Sequence, residues 1–241
     1  MRPLSSSSAT KGIVAVVGVG PRLGRSIARK FAHEGRLSRF ADEIARQEKA
    51  QVFAIRIDCS DARSVREAFE GVHSLGFVEV LVYNACSPSS SRHASRFTDI
   101  RLESFQKAIA VSSIGAFHCV QQVIPGMVDR RKGTILFTGS TASLNGIAGF
   151  CEFSCGKFAL RALSQCVAKE FQPQGIHVAH VIIDGIIGAP RHLQRSSPGE
   201  QSSAEISMDP DAIAQTYWHL HVQDKSAWTQ EIDLRAHNQA F

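Results

Sequence analysis

Short apolar runs alternate with longer segments whose apolar positions recur every three to four residues, nearly from one end of the chain to the other. The runs at 13–18, 51–57, 78–84, 133–138 and 177–183 are β-branched and apolar at successive positions, as strands covered on both faces are. Helical periodicity predicts helices over 23–33, 37–49, 62–72, 100–128, 152–171 and 210–222, and a last short strand over 230–234. Strands alternating with helices in this way predict βαβ units on a parallel sheet, an α/β fold of the Rossmann-like, doubly wound kind. Between 188 and 207 the composition turns to Pro, Ser, Gln and Gly, which predicts a flexible loop or lid.

One break in the alternation matters. The first helix stops at Gly35, and a strand should follow. Instead Leu37, Phe40, Ala41, Ile44 and Ala45 fall at i, i+3, i+4, i+7 and i+8, the pattern of a second amphipathic helix. The second strand of the sheet is therefore missing. Run 51–57 is then expected either to pair directly with run 13–18 or to leave an unpaired slot in the sheet. Each buried backbone group without a partner costs about 1–3 kcal/mol, against a total stability of about 5–15 kcal/mol, so direct pairing or an unstable product is the expected outcome.

Length and composition bound the rest. The chain has 241 residues, 44% hydrophobic and 20% charged, enough for one core: a disordered tail over 1–11, then a single domain over 12–241. The net charge of +5 is spread along the chain rather than gathered into a tract, which argues against nucleic acid as a partner. No apolar run approaches the ~20 residues of a membrane span, so no membrane partner is expected. The six cysteines lack metal spacing apart from Cys151 and Cys155, one helical turn apart, and a zinc site there would need two further ligands. His219 and His221, two apart on a helix, face away from each other, and no metal site is predicted. Free thiols fit a reducing compartment, and the expected location is cytoplasmic.

Candidate chemistry sits at strand ends. Gly18 and Gly20 close the first strand, and Arg22, Leu23 and Gly24 lead into a helix; glycines there let a backbone approach a pyrophosphate, and free helix-start amides attract its charge. Asp58 and Cys59 end the 51–57 run, and Asn84 ends the next, where open α/β sheets bind ligands. Ser140 follows the 133–138 strand. Lys157 lies four residues after Phe153 on the next helix, and serine and lysine at this spacing suggest an oxidoreductase site.

These ordered motifs, from about Gly12 to Gly188, resemble the short-chain dehydrogenase/reductase family. Gly18, Gly20 and Gly24 resemble its cofactor turn, with Arg22 where the family has a middle glycine. "DCSD" places Asp58 as the adenine contact, "YNAC" stands for "NNAG", and "DGIIG" replaces the usual "PG" turn. The resemblance implies NAD(P) as cofactor, a small-molecule carbonyl/alcohol substrate, a homo-oligomer, and Ser140 and Lys157 as catalytic residues, with Lys157 also bonding the nicotinamide ribose. Three departures stand against the pattern, two substituted positions and the missing second strand. Aligned on Gly115, Ser112 stands at the family's proton-relay asparagine, and Phe153 stands at its tyrosine. The residue that reads the adenosine 2′ position is lost with the missing strand, so a preference between NAD and NADP is not legible.

Carbonyl reduction needs a hydride and a proton, and phenylalanine has no proton to give. Losing a positioned general acid costs about 10²–10⁴ in rate. Neither Glu152 nor Ser154 projects where Phe153 does, because adjacent helix positions point about 100° apart. The implied function is a degenerate NAD(P)-dependent oxidoreductase. The alternatives are a non-catalytic homologue that binds nucleotide or a protein partner, and a shortened variant with little function.

Overall fold

A computed structural model describes residues 12–35, 53–87, 96–188 and 207–237. The predicted tail 1–11, the predicted helix 37–49 and most of the 188–207 loop lie outside the described residues. The elements in chain order are β1 (Ile13–Val17), α1 (Leu23–Gly35), α2 (Ala62–Leu75), β2 (Val78–Tyr83), α3 (Leu102–Ile109), α4 (Gly115–Arg130), β3 (Gly133–Thr138), α5 (Cys151–Phe171), β4 (Ile176–Asp184), β5 (Ile186–Ile187), β6 (Ser207–Met208), α6 (Pro210–His221) and β7 (Glu231–Arg235). A π-helical turn, Ala110–Ile114, joins α3 to α4, so the predicted helix over 100–128 is one rod with a bulge.

Among the described residues the main sheet runs β1-β2-β3-β4-β7, parallel throughout. Its interior strands earn their near-continuous apolar sequences: β3 is buried at every position and β4 at all but its last. One face packs on α2, α4 and α5 through Val65, Phe69, Cys119, Val123, Met127 and Leu160. The other packs on α1 and α6 through Ile27, Phe31, Ile213 and Tyr217.

Described residues 53–57 of the expected 51–57 strand carry no strand, and among the described residues β1 pairs with β2 alone. The structure therefore corrects the expectation of direct pairing. The physical reason is burial. Among the described residues the flank of β1 away from β2 carries no strand, and run 53–57, exposed at residues 53–56, would bury little apolar surface there to offset the ordering of its backbone. Phe53 and Ile55 stay exposed, while Ile57 alone reaches the core.

The 102–130 rod also corrects the reading of apolar run length. At 29 residues and a mean hydropathy of 1.3 over its most apolar window, it is long and apolar enough to cross a bilayer, yet 44% of that window is buried against the rest of the domain. It packs as a core helix, with Ala116, Cys119, Val120, Val123 and Met127 turned inward.

Gly115, where the bulge meets α4, shows how tightly the rod is seated. A Cβ there would lie 2.4 Å from the Cys59 carbonyl oxygen and 2.6 Å from the Tyr83 hydroxyl. Gly115→Ala is expected to destabilise the fold by about 1–3 kcal/mol through overpacking. Urea denaturation measures it as a lowered midpoint at constant slope; an unchanged midpoint would contradict this packing.

Candidate functional site

The glycine-rich turn is built by close approach. Gly18 has φ +87°, and a Cβ on it would strike the Ala85 backbone at 2.5 Å. A Cβ on Gly24 would strike the Gly18 carbonyl oxygen at 2.5 Å, whereas one on Gly20 would meet nothing within 4 Å. The turn is thus clamped at two glycines and open at the third. Asn84 holds it from the neighbouring strand, its side-chain amide donating to the Gly18 carbonyl at 2.8 Å. The first helical bonds of α1 are donated by Arg25 and Ser26, to Gly20 and Arg22, which leaves the amides of Leu23 and Gly24 ahead of the ladder. Leu23 itself is buried under the turn. Arg22 reaches across to donate to the Ile187 carbonyl at 2.9 Å, tying the turn to β5.

Asp58 sits in an exposed turn, where its carboxylate accepts from the Ser60 hydroxyl at 2.6 Å and the Ser60 amide at 2.9 Å. Those bonds hold its carboxyl below the usual carboxylate range. Asp61 caps α2 by accepting from the Arg63 amide. Cys59 turns inward, its thiol buried beside Tyr83 and pushed up mainly by that burial. Tyr83, the first residue of "YNAC", spends its hydroxyl on the Val111 carbonyl and is core rather than pocket.

Ser140 caps the turn after β3: its hydroxyl accepts from the Ala142 amide at 3.2 Å, and its own amide donates to the Ser143 hydroxyl at 3.2 Å. Lys157 is only 3% exposed, and its Nζ donates to the Thr138 carbonyl at 2.6 Å. The Phe153 ring lies one helical turn away, its centroid 5.7 Å from that Nζ. Burial pulls the Lys157 amine below its ordinary range, and Cys86, from "YNAC", partly offsets this. Ser112 lies in the π-helical turn, buried, with no hydrogen-bond partner for its hydroxyl among the described residues. A Cβ on Gly156 would lie 2.9 Å from it, so Ser112 abuts α5 one residue before Lys157. The structure thus brings together Ser140, Phe153, Lys157 and Ser112 around the start of α5, and Gly18, Gly20, Gly24 and Asn84 around the start of α1.

Sequence reasoning missed a support behind this site. His180 on β4 is fully buried; its Nδ1 pairs with Glu231 at 2.9 Å, and Arg161 grips the same carboxylate with two bonds of 2.7 Å. The ring abuts Gly139, where a Cβ would lie 2.2 Å from Nε2. Burial pushes His180 down, which keeps it neutral with Nδ1 as the donor. Thr138 and Tyr217, joined hydroxyl to hydroxyl at 2.7 Å, complete the backing. Asp184 of "DGIIG" accepts from the Thr141 hydroxyl at 2.6 Å and so ties β4 to the Ser140 turn. These partners are 41 to 79 residues apart and carry no spacing signal.

Residues 12–197 match the short chain dehydrogenase family model, and the chain belongs to that family. Among solved structures, a short-chain dehydrogenase from Rhodopseudomonas palustris superposes with a TM-score of 0.75 at 29% identity, covering 92% of this chain and 97% of that one. The 2,5-dichloro-2,5-cyclohexadiene-1,4-diol dehydrogenase LinX of Sphingobium indicum is 26% identical over 240 residues, 92% of this chain and 93% of that protein. The 3-dehydrosphinganine reductase of Danio rerio is 31% identical over 139 residues, 57% of this chain; the match spans 41% of that relative's length.

The buried amine makes a stability prediction. Because the folded state depresses the Lys157 pKa below 10.5, the unfolded chain binds more protons in the window under 10.5, so this group's penalty is full below the folded pKa and vanishes above 10.5. Wild type is therefore expected to gain stability relative to Lys157→Met as pH rises through that alkaline window. Paired denaturant melts from neutral pH upward measure it; a constant difference between the two would contradict the burial.

Proposed function

We propose that this protein is an NAD(P)-binding member of its family whose dinucleotide site is retained and whose carbonyl/alcohol turnover is slow. The observation that carries the reading is the pairing of an intact lysine with a ring that has no hydroxyl: Lys157 beside Phe153. The glycine turn fits a dinucleotide, since its backbone is held open at Gly20 and presents the Leu23 and Gly24 amides toward a pyrophosphate. Asp58 and the backbone at Cys59 lie at the adenosine end, Asn84 steadies the turn, and Arg22 closes it against β5.

When bound, NAD(P) supplies the hydride, or takes it in the reverse direction. The chain's own residues set what happens to the proton. Ser140 presents a hydroxyl at the end of β3 that can polarise a carbonyl. Lys157 offers donors to a ribose while one N–H stays on Thr138. Phe153 blocks the family's usual proton path, and Ser112 is too short and too enclosed to replace the asparagine that holds a relay water. Proton delivery is the missing function, and hydride positioning survives it.

The substrate is a small carbonyl or alcohol. The outer faces of the π-helical turn, α4 and α5, where Ile114, Phe117 and Phe158 stand 42–47% exposed, support assembly into a homo-oligomer through these long helices. The free cysteines and the ordinary family fold support a cytoplasmic location.

Phe153→Tyr tests the reading. It is expected to raise NADPH-dependent reduction across a panel of carbonyl compounds by about 10²–10⁴ over wild type, followed through nicotinamide absorbance. A variant that binds cofactor and still turns nothing over would favour the binding-only homologue. Wild-type rates ordinary for the family would overturn the proposal.

A further inference from the structure

A cavity of about 500 Å³ opens at the end of the sheet away from the glycine turn, where three turns meet ahead of β3, β4 and β7. The six residues of β3 separate it from Ser140, about 20 Å of strand. Arg131, Gln172, Gly175, Lys225 and Trp228 line it, with Pro173. It shares no residue with the dinucleotide site.

Three features make this cavity more than a dent. First, Arg131 and Lys225 both face it, and neither has a carboxylate partner among the described residues. The acids beside them in sequence are Asp129 and Asp224, and the Asp224 carboxylate already accepts two bonds from Ser226. Second, the Arg131 turn is fixed. Arg131 has φ +48°, and it presses on Gly175, where a Cβ would lie 2.6 Å from the Arg131 carbonyl oxygen. Third, Trp228 is braced in place by His177, stacked at 4.8 Å and 2° between ring planes; His177 is itself buried and bonded to the Thr229 carbonyl at 2.9 Å. Holding an aromatic wall and a strained arginine in advance lowers the ordering cost of binding.

We propose that this cavity is a second ligand site, for a small phosphorylated molecule that carries a flat ring. Two cations lining one cavity supply charge-assisted hydrogen bonds to phosphate, the guanidinium in bidentate form. The indole supplies a stacking surface for the ring. The volume falls within the ~300–1,000 Å³ of small-molecule sites. The site is independent of the NAD(P) reading, because its residues and its end of the sheet are different.

The test uses Trp228 as the reporter. In full-length Trp218→Phe protein the remaining indole is Trp228, and ADP is the probe. ADP is expected to change its fluorescence saturably, inorganic pyrophosphate to bind more weakly, and adenosine more weakly still. Adding Arg131→Asn, which tolerates the left-handed backbone, together with Lys225→Gln is expected to weaken the ADP response at least about tenfold while the thermal melt stays cooperative. No ADP response into the millimolar range, or identical titrations in both backgrounds, would overturn the site. Pyrophosphate binding as tightly as ADP would overturn the ring half of the assignment. Failure of cofactor binding at the glycine turn would leave this signal unchanged, so the two outcomes are distinguishable.

Discussion

The buried Lys157 amine is the constraint around which this pocket is organised. A lysine placed in a dry interior loses solvation that only a few fixed acceptors can return. Here one acceptor is the Thr138 carbonyl at the end of β3, and the neighbour across one helical turn is the Phe153 ring. A phenol in that position would share the amine's field and be made easier to ionise by it. A phenyl ring takes the space without using the field. The same geometry that would tune a catalytic tyrosine thus leaves the amine beside a ring that has no proton to share.

That positioning depends on a rigid backing. Thr138 is held by Tyr217 from α6, the Ser140 turn is tied to Asp184, and Gly139 rests against His180, which Glu231 and Arg161 lock from β7 and α5. Four elements converge behind two short turns. The front of the site is built differently, from close backbone approach at Gly18 and Gly24, where no side chain fits, with the Asn84 side-chain amide donating across to the Gly18 carbonyl. A dinucleotide cradle made from backbone amides survives side-chain substitution, whereas proton transfer rests on one hydroxyl. On the proposed reading, this asymmetry is how recognition outlasts proton transfer.

Most of the fold was legible in the sequence because it rests on local periodicity. β3 and β4 announce themselves as continuous apolar runs, and α5 and α6 as helical stripes, since burial on two faces or one imposes those patterns directly. Run 51–57 shows the limit. Phe53, Ile55 and Ile57 carry strand propensity, but a strand needs a partner edge, and the partner is a non-local property that the run does not encode. In the site, the glycine turn, Ser140 and Lys157 could be found by spacing. Arg22 on the Ile187 carbonyl, His180 behind Gly139, and the meeting of Arg131 with Trp228 could not, because each joins turns from distant parts of the chain.

The central claim is that dinucleotide recognition persists where the proton donor is gone. Calorimetric titration of the unaltered protein with NADPH and NADH tests it most directly. Saturable binding of at least one of them, weakened when Lys157 is replaced by methionine, is the predicted result; no heat of binding for either cofactor at millimolar concentration would contradict it.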